Sequence, residues 1–273
     1  MKYGFILIGN PKEIVELAQE AEQAGWDGVF LADDWTSSWI KLTAIAMRTQ
    51  RIQLGTMLTP LPEQLPWYVA AQTATLDQLS GGRVILTAGL GVLELDKFGM
   101  QENKLRAQRL EEALALINGW WQGELMRTFT YEGQHYRLQE MSANMDWLTH
   151  TPLQKPRIPI WVVGGPKQSQ IRRAAHWDGA VINGSPAELR ERKTAIEALR
   201  TASTPVGQSH RPLDVITEGE TPPNDPNRAT DIVGPYVEAG LTWWLESMWD
   251  LPGVTRDYDI WTRVRSGPPR ASY

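Results

Sequence analysis

Cysteine is absent from this sequence, and histidine occurs four times in 273 residues. Without thiols the chain forms no disulfide, carries no thiolate nucleophile or iron–sulfur cluster, and builds no cysteine-ligated zinc site. The histidines, at 135, 150, 176 and 210, all fall away from the predicted strand ends, so no converging ligand set for a catalytic metal is expected. No apolar run reaches the length of a membrane span, and no membrane partner is expected. Met1 leads directly into the apolar stretch YGFILIG, with no basic segment or small-residue cleavage site, so no signal peptide is expected. A reducing, cytoplasmic setting fits the lack of cysteine. Clustered positive charge is missing too. With a net charge of −5 and Lys and Arg scattered among acids, a nucleic-acid partner is not expected.

What is present is alternation. Strand-like apolar runs occupy 3–8, 28–32, 52–56, 83–88, 159–163, 179–182, 213–217 and 242–247. Helical segments separate them. The first has Asn10 as cap, Pro11 at its first position, and Ile14, Leu17, Ala18 and Ala21 at helical spacing, ending at Gly25. Further segments at 38–49, 67–79, 104–121, 167–176, 186–202, 229–239 and 254–265 read similarly. Eight nearly continuous apolar strands alternating with amphipathic helices indicate an α/β protein with a parallel sheet, closed as a (β/α)8 TIM barrel. Residues 1–265 are expected to form this single domain, with 266–273 as a C-terminal tail. Residues 123–156 are too long for a simple connection between helix 4 and strand 5 and read as an insertion. Within it FTYEGQHYRL suggests a small hairpin, and the insertion as a whole serves either as a lid over the site or as a surface excursion that caps the barrel.

The echo between AGWDGVFLA (24–32) and AHWDGAVIN (175–183) supports a repeated layout. Its Asp27 and Asp178 lie at strand starts and are assigned to turns and caps.

In such a barrel the site lies at the C-terminal strand ends. Those ends carry Gly9 and Asn10, Asp33 and Asp34, Thr56, Met57 and Thr59, Gly89 and Gly91, Gly164 and Gly165, Asn183 and Gly184, Glu218, and Glu246. Small residues dominate, which leaves room for a flat, bulky ligand against backbone. Gly89 and Gly91 do not belong to a dinucleotide fingerprint, because Glu94 stands where its third glycine is needed. The best anion-site candidate is WVVGGPKQSQIRRAA (161–175), in which a strand ends in Gly164 and Gly165 before a helix starting near Lys167. Amides at a helix N-terminus favour a phosphate, with Ser169 and Arg172 as helpers.

Four stretches together resemble the bacterial luciferase-like monooxygenase superfamily of flavin- or deazaflavin-dependent oxidoreductases. They are LAQEAEQAGWDGVFLADDW, AIAMRTQRIQLGTMLTPLPEQLPW, ATLDQLSGGRVILTAGLGVLELDKFG and PIWVVGGPKQSQIRRAAHWDGAVI, spanning positions 17 to 182. The most specific is LDQLSGGR, leading into a strand that ends in Gly-x-Gly. The resemblance implies a barrel that binds reduced FMN, or alternatively the deazaflavin coenzyme F-420, with its ring against the third and fourth strand ends. It implies a non-proline cis peptide at Thr56–Met57, ring approach at Gly89 and Gly91, and the phosphate at Gly164 and Gly165. The cofactor-binding set is then Asp33, Thr56, Met57, Gly89, Gly91, Gly164, Gly165, Ser169 and Asn183.

Two departures from the family matter. Many relatives carry Asp-His where this chain has Asp33-Asp34, and the sugar-phosphate dehydrogenases carry Glu where it has Val92. Asp34 and Glu94 are the remaining candidates for the catalytic acid, and Trp35, Trp39 and Trp67 for an apolar substrate pocket. The expected activity is monooxygenation of, or hydride transfer with, a small organic molecule, drawing on a separate flavin reductase in the FMN case. Relatives commonly pair through helices that correspond to LTAIAMRT and WYVAAQTATL, so a homodimer is expected. Two alternatives stand beside this reading: a flavin-binding barrel without turnover, and a non-redox lyase or isomerase using Glu218 or Glu246.

Overall fold

The computed structural model describes residues 1–32, 37–91, 103–122, 131–138, 151–203, 211–249 and 255–269. In chain order the elements are β1 (Lys2–Leu7), α1 (Pro11–Gln23), β2 (Gly28–Leu31), α2 (Ser38–Ala46), β3 (Gln53–Thr56), a two-residue β4 (Thr59–Pro60), α3 (Pro66–Ser80) and β5 (Val84–Gly89). They continue with α4 (Asn103–Trp121), the hairpin β6 (Tyr131–Glu132) and β7 (Arg137–Leu138), β8 (Ile160–Val163), α5 (Gln168–His176), β9 (Gly179–Val181), α6 (Pro186–Ser203), β10 (Asp214–Gly219), α7 (Pro226–Glu238), β11 (Trp243–Ser247) and α8 (Ile260–Arg265).

Every strand of the main sheet pairs in parallel, in the order β3-β2-β1-β11-β10-β9-β8-β5. The β3–β5 pairing, Leu54 to Val84 and Gly55 to Ile85, closes the ring. Eight parallel strands with helices outside make a (β/α)8 barrel, and β4 lengthens its third strand beside the end of β5. The cap of α1 follows its sequence: Glu13 N–H donates to Asn10 Oδ1 at 3.0 Å, and Ile14, Leu17, Ala18 and Ala21 are buried. No helix among the described residues is long and apolar enough to cross a membrane.

Alternation along the strands sorts the core into two layers. Leu54, Leu86, Val162 and Ala180 pack outward under the helices. Ile6, Phe30, Ile85, Trp161, Ile216, Trp243 and Leu245 point inward and fill the barrel. Three large rings fit there because Gly4, Gly28, Gly55 and Gly179 face them; a Cβ on any of these glycines would run into Phe30, Trp161 or Trp243. Phe30 stacks on Trp161 at 5.4 Å, and Trp161 meets Trp243 edge-on at 5.2 Å. Burying each such ring contributes roughly 2–3 kcal/mol. The barrel is therefore plugged from its N-terminal end to mid-height. Ligand space remains at the C-terminal ends.

The LDQLSGGR stretch serves the opposite face. Gly81 caps α3 at φ +72°, a left-handed angle that glycine takes without strain. Arg83 then donates to the carbonyls of Ala46 (2.9 Å), Thr49 (3.1 Å) and Ile52 (2.9 Å), placing a cation at the C-terminal end of α2. Asp77 holds the end of the insertion, accepting from Gln154 N (3.0 Å) and Nε2 (2.7 Å).

The described hairpin, β6 and β7, lies on the flank of α4. There Glu112 accepts the N–H groups of Gln134 (2.9 Å), His135 (3.0 Å) and Tyr136 (3.2 Å).

Candidate functional site

The same alternation names the side chains at the open end. Above the aromatic plug, the inward positions are Met57 after β3, Gly89 on β5, Val163 on β8, Glu218 on β10, and Ser247 and Trp249 on and after β11, with Thr87 one inward step below Gly89 and level with Trp161. Met57 packs on the inner cluster, and so does the partly buried Trp249.

A recess of about 250 Å³ opens between the ends of β5 and β8, lined by Leu58, Gly89, Gly91, Val163, Gln170 and Arg173 among others. Both glycines of the Gly-x-Gly have a packing reason here. A Cβ at Gly89 would sit 2.6 Å from the Leu58 side chain. Gly91 has φ +77°, and a Cβ there would meet Arg106 and Pro60, both at 2.8 Å. Arg106 forms a buried ion pair with Glu63 and also binds the Leu90 carbonyl, so it fixes the turn between the two glycines. The non-proline cis peptide is present at Met57–Leu58, one residue beyond the expected Thr56–Met57. Thr56 itself shares the outward parity of Leu54, and its hydroxyl lies 2.6 Å from that of Thr59, bridging the strand end.

At the end of β8 the paired glycines differ in surroundings. A Cβ at Gly164 would press outward on Ala180 and Ile182, both at 3.0 Å. Gly165 lies under the Gln170 side chain, whose Oε1 accepts Lys167 N–H at 3.1 Å at the start of α5. Ser169 is exposed in the first turn, where amides have no partner within the helix.

Across the mouth, Asn183 Nδ2 donates to Glu218 Oε1 at 3.1 Å and Trp249 Nε1 to Glu218 Oε2 at 2.9 Å. Glu246 is not at the mouth. It shares the outward parity of Trp244, is fully buried, and pairs with Arg263 at 3.1 Å, which removes it as a mouth acid. Burial pushes its carboxyl upward, against the opposing pull of Arg263. Asp27 and Asp178 sit at strand starts and accept the N–H groups of Tyr3 and Ile160, each at 2.9 Å.

Asp33, Asp34, Trp35, Val92 and Glu94 lie outside the described residues. Trp39 packs in the outer layer, and Trp67 meets Tyr136 edge-on at 6.4 Å. Among the described residues the aromatic side chain at the mouth is instead Trp249, and the inward hydroxyl without a partner is that of Thr87. Neither stood out in the sequence, although continuing the alternation of Trp243, Leu245 and Ser247 by one step reaches Trp249.

A larger groove of about 710 Å³ opens on the N-terminal face beside Met47, Arg51, Leu79 and Arg83. Its most buried cation, Arg83, is spent on carbonyls, so the C-terminal recess is the better ligand site.

A closed parallel barrel with its recess at the C-terminal strand ends belongs to the (β/α)8 class, whose members bind ligands there. Within that class the sequence profile of luciferase-like monooxygenases matches residues 5–235, and the chain belongs to that family. Among curated relatives, the F420-dependent glucose-6-phosphate dehydrogenase of Nakamurella multipartita is 32% identical over 227 residues, covering 77% of this chain and 63% of that protein. The Microbacterium testaceum protein of the same name is 30% identical over 225 residues, with the same coverage of 77% and 63%. The chain thus spans less than two thirds of the length of these relatives.

In structure, the coenzyme F420-dependent tetrahydromethanopterin reductase of Methanopyrus kandleri superposes with a TM-score of 0.76 at 18% identity, covering 97% of this chain and 96% of that one. The oxygenating constituent of 3,6-diketocamphane monooxygenase from Pseudomonas putida, solved with FMN, gives 0.65 at 18% identity, covering 81% and 67%. Both likenesses are of fold.

Proposed function

We propose that this chain is a flavin- or deazaflavin-dependent oxidoreductase that holds reduced FMN or F420 at the barrel mouth and acts on a small organic molecule. The observation that carries this reading is the recess between β5 and β8. Backbone glycines, Leu58 beside the cis peptide, and the first turn of α5 converge there above a solid aromatic floor. The ring is assigned to the side of Gly89, Val163 and the neighbouring Met57, while Arg173, which also lines the recess, is paired with Glu111. The phosphate is assigned to the Gly164–Gly165 turn and Ser169, with Gln170 turning aside to release the Lys167 amide. Bound there, FMN supplies electrons for oxygen chemistry and F420 supplies a hydride. The chain's part is to orient the ring, exclude water and move a proton, for which Asp34 and Glu94 are the candidates. Asp33 completes the cofactor-binding assignment, whereas Thr56, turned outward and bonded to Thr59, supports the strand end only, and Asn183 acts through Glu218.

The names of the curated relatives favour F420, whereas a neighbour in fold was solved with FMN. Glucose 6-phosphate is not carried over, because Val92 departs from the Glu that the family resemblance implies at this position for sugar-phosphate dehydrogenases. A flavin-binding barrel without turnover is the second reading. It is favoured by Glu218, whose two oxygens are both engaged by donors.

A homodimer through α2 and α3 is part of the proposal, supported by the exposed Ile40, Met47, Tyr68 and Leu79. A cytoplasmic location and a separate flavin reductase complete it. Fluorescence titration of the ligand-free protein with FMN and F420, each oxidised and reduced, tests the reading. Saturable binding of at least one supports it, and binding of neither overturns it. Binding without turnover under a supplied reductant selects the second reading.

A further inference from the structure

Thr87 is fully buried, and its hydroxyl has no hydrogen-bond partner in the described structure. Among the described residues it is the one such residue on a barrel strand. Val84, Leu86 and Ala88 of β5 pack outward, whereas Ile85 belongs to the inner cluster, so Thr87 points into the barrel. It stands one inward step above Ile85, level with Trp161 of β8, and one step below Gly89 at the recess. Gly55 pairs with Ile85, and two residues further along each strand are Met57 and Thr87. The hydroxyl thus lies among apolar side chains beneath the recess, one inward step below its lining residue Gly89.

Valine has nearly the same shape without the unsatisfied group, so for the ligand-free fold alone threonine is the worse choice here. We propose that Thr87 is a ligand-contacting residue whose hydroxyl donates to a carbonyl oxygen or ring nitrogen on the polar edge of a heterocycle bound in the mouth. The proposal rests on the flavin or deazaflavin reading above and deepens it, because it assigns the ring's hydrogen-bonding edge to β5.

The test compares wild type, Thr87→Val and Thr87→Ser by thermal unfolding without ligand and by fluorescence titration with FMN and with F420. Thr87→Val is expected to raise the ligand-free Tm by about 2–4 °C while weakening the bound cofactor about five- to tenfold. Thr87→Ser, which keeps the hydroxyl, is expected to retain most of the affinity. A Tm for Thr87→Val that is unchanged or lower overturns the inference, since the hydroxyl then has a partner in the free protein. A higher Tm with unchanged affinity for both cofactors overturns it as well, while leaving the cofactor reading intact. Wild type that binds neither cofactor overturns both.

Discussion

The indole N–H of Trp249 donates to Glu218 at 2.9 Å while the second oxygen of the same carboxylate accepts Asn183 Nδ2, so one acid on β10 orients the aromatic wall of the mouth. The Trp249 carbonyl is held as well, by Arg256 at 2.8 Å, and Arg256 is itself bound through two nitrogens to Glu220. Glu218→Gln leaves one acceptor oxygen for two donors and turns an amide N–H toward the other. It is expected to cost about 1 kcal/mol of stability. Urea unfolding measures this, and an unchanged midpoint at equal slope contradicts the arrangement.

On the N-terminal side, Glu22 of α1 accepts the N–H groups of Gln50 (2.9 Å), Arg51 (2.6 Å) and Ile52 (2.9 Å). Burial pushes its carboxyl up, but these amides and the Arg51 guanidinium outweigh it and hold it below the usual glutamate value. A lowered folded value means the contribution is present above the unfolded pKa and is lost as pH falls through the folded one. Glu22→Gln should therefore destabilise by about 1 kcal/mol at pH 7, with solvent screening keeping it small. The gap from wild type should close in acid below the usual glutamate range. A gap that persists there would show that the charge is not what matters.

Arg263 reaches Glu246 through Nε and Nη2, each at 3.1 Å, and also binds Thr221, Ser266 and the Gly267 carbonyl, joining α8 to β11. Both side chains are buried. Arg263→Met strands a buried carboxyl and should cost about 3–5 kcal/mol. Adding Glu246→Gln should recover part of that loss. A double variant as unstable as the sum of its singles would mean the two do not act as a pair.

Much of this was legible in the sequence. Unbroken apolar strands and amphipathic helices fixed the barrel, because both periodicities reflect burial that local residues report directly. The end of α8 was harder: the expected helix starts at 254, whereas the described one starts at Ile260, capped by Asp259. Side-chain direction at strand ends was less legible. Glu246 looked like a mouth acid because a strand end alone does not say which face a residue takes. The burial of its neighbour Trp244 under the helices decides that. The Gly-x-Gly had its reason in Leu58, Arg106 and Glu63, distant in sequence and brought together by the closed sheet. LDQLSGGR, the most family-specific stretch, holds the fold at the far face from the mouth.

The phosphate assignment is tested by Gly165→Asp. A side chain there displaces Gln170 and brings a negative charge to the first turn of α5. FMN affinity should fall at least about tenfold, while riboflavin, which lacks the phosphate, should change little. Equal loss of both ligands in a variant that unfolds normally, or loss of neither, would place the phosphate elsewhere.

The central claim, that the mouth between β5 and β8 is a flavin-type cofactor site, is tested most directly by a crystal structure of the chain grown with saturating FMN. The account predicts the ring over Met57, Thr87 and Gly89 on the recess side of the mouth, with Trp249 facing it from just beyond β11 and the phosphate at the start of α5. Density for FMN in the groove beside Arg51 and Arg83, or anywhere away from the C-terminal strand ends, would contradict it.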